Sequence, residues 1–125
     1  MLYKRQKKLL SIIKYGRCDS KTKLFKLSFL TKEAFSLSDS EFYDFVPYHY
    51  GAFSFQLQKD LDKLCEMNMV CKDSKGYTAL QSDKDDEIKD FLSQYVHKTA
   101  TELTYKIYDE YPYYTLNSTI HDHTY

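Results

Sequence analysis

At 125 residues, the chain has room for one domain around one core. Its 42% hydrophobic, 17% aromatic and 29% charged residues exclude a disordered chain, and no apolar run approaches the roughly 20 residues that cross a bilayer. The formal net charge is zero, but residues 1–35 hold ten basic and two acidic side chains, so that segment is +8 and the remainder −8. Such segregation suits a polyanion-binding face, or a contact between oppositely charged protein surfaces. The start, Met1 to Lys8, is too basic and too briefly apolar for a secretory signal, so a cytoplasmic location is expected. Cys18, Cys65 and Cys71 are odd in number and lack close pairing, which predicts reduced thiols. Thirteen Tyr and no Trp predict a core with many polar-tipped rings whose hydroxyls need partners.

From Lys4 to Tyr15, the spacing of Leu9, Ile12 and Ile13 predicts a first helix, ending at Gly16 as a left-handed cap. Asp19 or Ser20 caps a second helix to about Phe35; Leu24, Phe25, Leu27, Phe29 and Leu30 crowd its surface too broadly for one stripe, so it belongs in the middle of the core. Ser36 to Ser40 reads as a loop, Phe42 to Val46 as a short strand closed by Pro47, and Tyr50 with Gly51 as a turn. Ser54 then caps a third helix, with Leu57, Leu61 and Leu64 inward and Gln56, Lys59, Asp62, Lys63 and Glu66 towards solvent.

Met69 to Cys71 and Tyr77 to Leu80 flank a glycine-containing turn and read as a β-hairpin. Ser82 is the expected cap of a fourth helix, with Asp83, Asp85, Asp86 and Glu87 in its first turn, where negative charge suits the helix dipole. Ile88, Phe91, Leu92, Tyr95 and Val96 form its inward stripe. A last helix from about Thr101 uses Leu103, Ile107 and Tyr108 and stops before Pro112. Asn117 or Ser118 is placed to cap one more turn, with few residues left to build it.

The pattern predicts an α+β, mainly helical fold: a winged helix-turn-helix of three helices and a β-hairpin wing, with one or two additional C-terminal helices. Residues 1–125 are read as one winged-helix-like domain, with 113–125 a frayed tail or a linker to a further domain. The stretch Phe45-Val46-Pro47-Tyr48-His49-Tyr50-Gly51-Ala52-Phe53-Ser54, with Leu57, Asp60, Leu61 and Leu64 and then Met69 and Val70, resembles the hallmark segment of the Panacea domain. There a Tyr-Gly-Pro-[Phe/Tyr]-Ser turn introduces a helix with a Leu-x-x-Asp-Leu core; Ala52 stands where that family usually has Pro. Over nearly all 125 residues the chain is also similar to the N-terminal region of bacterial proteins that carry a further C-terminal domain of unknown function. In these a tyrosine-rich segment like Tyr111 to Tyr114 precedes the second domain. The resemblance implies antitoxin activity in bacterial or phage toxin-antitoxin pairs.

No specific Ser-His-Asp order, phosphate-cradling glycine loop or pair of catalytic carboxylates can be assembled, so no enzyme activity and no cofactor are expected. His121, Asp122 and His123 sit at i, i+2 spacing without a second cluster upstream, and are read as a polar terminus rather than a metal site. Cys18, beside Arg17 and near Lys21, is weighed as a thiol of lowered pKa against a small side chain in a helix connection.

Two binding functions remain. For nucleic acid, the candidates are Lys7, Lys8 and Lys23 on a basic arc that also includes Lys4, Arg5, Lys14, Lys21 and Lys26, with Gln56, Gln58, Lys59 and Lys63 on the presented helix and Lys72 and Lys75 on the wing. For a partner protein, such as a toxin or a fused C-terminal domain, Tyr48, Tyr50, Tyr113 and Tyr114 are the candidate anchors, core packing being their alternative role, above all for Tyr50. The acidic body favours the partner protein. A homodimer, with the +8 segment of one copy on the −8 remainder of another, is the third alternative.

Overall fold

The computed structural model describes residues 2–49 and 51–118. They form an α+β fold, mainly helical, with five α-helices and two separate antiparallel hairpins. No helix among them is long and apolar enough to cross a membrane.

Helix α1 (Lys4–Gly16) begins with a cap in which the Gln6 side chain accepts the Tyr3 amide at 2.9 Å. Its buried face carries Leu9, Leu10, Ile12 and Ile13. Gly16 does not take the left-handed position expected of it: Arg17 does, with φ of 52°. Gly16 is instead the last helical residue, buried where any Cβ would run into Leu27 of the next helix, so close approach is its role. Four residues later α2 (Lys21–Ala34) starts on Ser20, whose hydroxyl accepts the Lys23 amide at 3.1 Å. Every residue from 23 to 31 is buried, so this helix is the central post of the core.

Of the strand expected over 42–46, only Val46 is in a strand. Phe42, Tyr43 and Phe45 enter the core from irregular backbone, and the strand begins one step later as β1 (Val46–Tyr48), with Pro47 inside it. It pairs with β2 (Gly51–Phe53), Pro47 opposite Ala52, in a two-stranded ribbon. Both strands are edges there, so an interior proline is tolerated. Helix α3 (Phe55–Glu66) follows at once, capped by Ser54, which accepts the Leu57 amide at 3.2 Å. Leu57, Leu61 and Leu64 are buried, and Gln56, Lys59, Asp62, Lys63 and Glu66 are exposed, as their spacing requires.

The second hairpin joins β3 (Val70–Asp73) to β4 (Gly76–Ala79), with Asp73 opposite Gly76. Gly76 has φ of 112° and lies so close to the backbone of Cys18 and Asp19 that a Cβ would overlap it. From the next residue the Tyr77 amide donates to the Cys18 carbonyl at 2.9 Å, so the α1–α2 connection lies along β4.

Helix α4 (Asp86–Leu92) is shorter than expected and its cap is Asp85 rather than Ser82; the Asp85 carboxylate accepts the Ile88 amide at 3.1 Å. Asp86 and Glu87 occupy the first turn, Asp83 precedes the helix, and Tyr95 and Val96 fall in the turns after it. A carboxylate reaches the amides as well as a hydroxyl does, and later capping lets the 83–85 loop lie against α1. Helix α5 (Ala100–Glu110) has a capping box, Thr99 with Glu102. A 3₁₀ turn (Pro112–Thr115) follows, packed on α5 and β1. The further turn expected from Asn117 or Ser118, and the His121, Asp122 and His123 group, lie outside the described residues.

Candidate functional site

The basic arc expected on the first two helices is largely dismantled by the fold. Lys23 is 2% exposed, and its Nζ donates to the Val96 carbonyl at 3.0 Å, so it is a tether between α2 and the chain after α4 rather than a polyanion contact. Lys26 is 3% exposed and donates to the Ala52 carbonyl at 3.0 Å. Both corrections share one cause: α2 is enclosed on nearly every side, so its lysines must thread through the core to reach a polar partner. Lys32 bonds to the Asp39 carboxylate and to the Tyr43 carbonyl.

Arg5 also leaves the arc. Its Nε donates to Asp60 Oδ2 at 2.8 Å, and the Tyr43 hydroxyl donates to the same oxygen at 2.7 Å. Asp60, on the inner side of α3, thereby ties the start of α1 and the 42–45 segment to that helix. The bond to Asp60 holds the Arg5 guanidinium above its ordinary pKa, while burial and the carboxylate push the Tyr43 phenol well above the usual range. Sequence reasoning missed this cluster, although Asp60 stands in the Leu-x-x-Asp-Leu pattern; a carboxylate at an inward helical position was the available signal.

Lys4, Lys7 and Lys14 remain exposed and Lys8 half-exposed. Of these, Lys4, Lys7 and Lys8 lie beside carboxylates. Lys4, Lys7, Lys8 and Ser11 share one depression with Asp83, Lys84 and Asp85, and Lys8 shares another with Asp85 and Glu87. On α3, Gln56, Lys59 and Lys63 are exposed beside Asp62 and Glu66; on the second hairpin, Lys72 and Lys75 are exposed beside Asp73. On α3 and the second hairpin positive charge is therefore dispersed among carboxylates, and beside the lysines at the start of α1 the carboxylates come from 83–87. Cys18 is buried, and burial pushes its thiol up to about 12 against the opposing pull of Lys23, which removes the reactive-thiolate reading.

Apolar surface is concentrated at the first hairpin. The Phe25 and Phe53 rings stack at 4.8 Å, Phe55 meets Phe53 edge-on at 4.9 Å, and Tyr48 lies 5.0 Å from Phe53 and 5.7 Å from Phe55. The run begins in the core at Phe25 and emerges at Tyr48 and at Phe55, which is 59% exposed. Ser54 explains the position of Phe55: capping α3 there puts the ring in the first helical position, outside the Leu57–Leu61–Leu64 stripe. Tyr48 was a candidate from the sequence; Phe53 and Phe55 were not, because only the ribbon brings them beside it. Tyr50 lies outside the described residues.

Beside the rings a cleft of about 220 Å³ opens between α2 and the ribbon, lined by Lys21, Phe25, Lys26, Tyr48, His49 and Phe53, with Thr22 and Gly51 completing its wall. Burial pushes the Lys26 ammonium down to about 7.

The second pair of tyrosine candidates divides. Tyr114 packs edge-on against Phe29 at 4.7 Å, as Tyr111 does at 5.1 Å, and belongs to the core margin. Tyr113 is 60% exposed, near the exposed Leu116. The 3₁₀ turn packs on β1, and the Asn117 amide donates to the Pro47 carbonyl at 3.1 Å, so Tyr113 belongs to an element adjoining the ribbon that carries Tyr48. Against known proteins, no family model, no curated protein and no solved structure matches the chain.

Proposed function

We propose that the chain is a non-catalytic binding module that docks a partner protein through the aromatic surface of Tyr48, Phe53 and Phe55, extended by Tyr113. One observation carries this reading: a run of contacting rings leaves the core and ends in exposed Tyr48 and Phe55. Grouped exposed aromatics are costly in water, and tyrosine and phenylalanine are enriched where protein interfaces bury their centre. Anchored at Phe25, these rings lose little conformational freedom on docking. The Panacea-like segment spans this surface, and an antitoxin-like neutralisation of a cytoplasmic toxin is the form of docking to which that resemblance points.

The winged-helix reading belongs to the same proposal. Its support is the order of three helices and a hairpin, together with the Tyr77–Cys18 bond that joins the α1–α2 connection to β4. A DNA-reading helix-turn-helix joins its two helices by 3–4 residues or so, whereas residues 35–54, with their own ribbon, separate α2 from α3. That insertion supports a scaffold adapted to a protein partner over one that reads a groove. The competing nucleic-acid reading keeps Lys7, Lys8, Gln56, Lys59, Lys63, Lys72 and Lys75, and predicts affinity that falls steeply with salt.

Binding by the wild type and by a Tyr48→Ala/Phe55→Ala variant tests the proposal, with co-purification from the native host and a duplex-DNA titration run side by side. Stoichiometric partner capture by the wild type and its loss in the variant is expected. Salt-sensitive DNA binding unchanged by the variant would contradict it.

A further inference from the structure

The cleft beside the aromatic surface has a composition that docking does not explain. Its walls are flat and apolar, from Phe25, Phe53 and Tyr48, and its charged lining residues are Lys21 at the mouth and Lys26 within, with no carboxylate among them. Lys26 is almost wholly enclosed, and among the described residues its ammonium meets one carbonyl, that of Ala52, and forms no ion pair. A buried cation held by a single neutral acceptor is costly, and a monovalent anion brought into contact with it relieves that cost. A volume of about 220 Å³ is below the range of drug-sized pockets and admits one ring with a short acidic arm.

We propose that this cleft is a binding site for a small aromatic monocarboxylate, its ring against Phe25 and Phe53 and its carboxylate on Lys26. The charge count selects a monoanion over phosphate: one enclosed ammonium matches one carboxylate, whereas a dianion would leave a charge unpaired between apolar walls. Lys21, being exposed, contributes attraction at the entrance and little to the bound state. The ready loss of the Lys26 proton agrees with the missing counter-ion, which a bound carboxylate would supply. This site does not depend on the partner-docking reading, since it is measured on the chain alone.

Phenylacetate and its uncharged analogue phenylacetamide, titrated into the full chain and followed by amide chemical shifts, test the proposal. The wild type should bind phenylacetate at least about tenfold more tightly, a difference of roughly 1.4 kcal/mol, with the largest shifts at Phe25, Gly51 and Phe53. Lys26→Met keeps the length of the stem, removes the charge and should abolish the preference, whereas Lys21→Ala should keep most of it. Equal affinities in the wild type, a preference for inorganic phosphate, shifts away from the cleft, or a preference that survives Lys26→Met would each overturn the assignment. Because the two ligands are compared first on the wild type, the outcome is readable even where a variant folds poorly.

Discussion

Lys26 and Asp60 are two of the three buried charged residues among those described, Lys23 being the third, and they make opposite demands. Burial lowers the Lys26 pKa from 10.5 to about 7, so between those pH values the unfolded chain binds a proton that the folded chain does not. Stability from this group therefore rises with pH across the window, and its penalty is complete below pH 7 or so. The expected outcome for Lys26→Met is a gain in stability that is largest at neutral pH and shrinks towards pH 10, read from urea melts of both proteins across that range. Lys21 on α2, Tyr48 and His49 on the ribbon and Tyr108 on α5, ionisable groups around the cleft among the described residues, are common to both proteins. Asp60 has two donors on one carboxylate oxygen, from Arg5 and Tyr43. Asp60→Ala should cost about 3 kcal/mol by leaving a partly buried guanidinium and a buried phenol unmatched; a loss below about 1 kcal/mol in the same melts would show that water serves them equally well.

At the scale of elements, the second hairpin is held to the α1–α2 connection by contacts that admit no Cβ at Gly76. Gly76→Ala should therefore cost at least about 2 kcal/mol, from the unfavourable backbone conformation and the displaced Cys18 carbonyl. The two neighbouring tyrosines of the 3₁₀ turn separate packing from surface. Tyr114→Ala removes the ring on Phe29 and should lower stability by about 2 kcal/mol, whereas Tyr113→Ala should change it by less than about 0.5 kcal/mol. Thermal unfolding of both variants checks the pair. Helix α3 was legible from sequence because Leu57, Leu61 and Leu64 repeat at helical spacing behind a serine cap. The second hairpin was legible because a short glycine-containing turn separates its strands. The ribbon β1–β2 was not: each strand has three residues, one contains Pro47, and nothing local distinguishes it from the apolar segment just before it. The cap of α4 was misread because Ser82 and Asp85 both suit the role, and only contact with α1 decides between them.

For the whole molecule, the segregation of +8 and −8 along the chain is reduced at the surface. Lys23 and Lys26 enter the core, Arg5 and Lys32 are paired, and the 83–85 loop lies along the lysines of α1. Linear charge was readable, but its reduction was not, because it depends on α1 and α4 packing side by side. The aromatic surface has the same origin: Phe25 and Phe53 are far apart in sequence and stack only once the ribbon folds over α2. Tyr48 and Tyr113 were found as tyrosines near turns, whereas Phe53 was read only as part of the Panacea-like stretch and Phe55 not at all, its outward position following from the cap at Ser54.

The central claim is that exposed rings of the ribbon and of α3, rather than basic residues, make the binding surface. Its most direct test compares partner binding and thermal unfolding in two variants, Tyr48→Ala/Phe55→Ala and Lys7→Glu/Lys63→Glu/Lys75→Glu. The account predicts that the first variant keeps its cooperative melt but loses the partner by at least about a hundredfold, roughly 2.7 kcal/mol, while the second retains it. Partner binding that survives loss of both rings and disappears on charge reversal would contradict it.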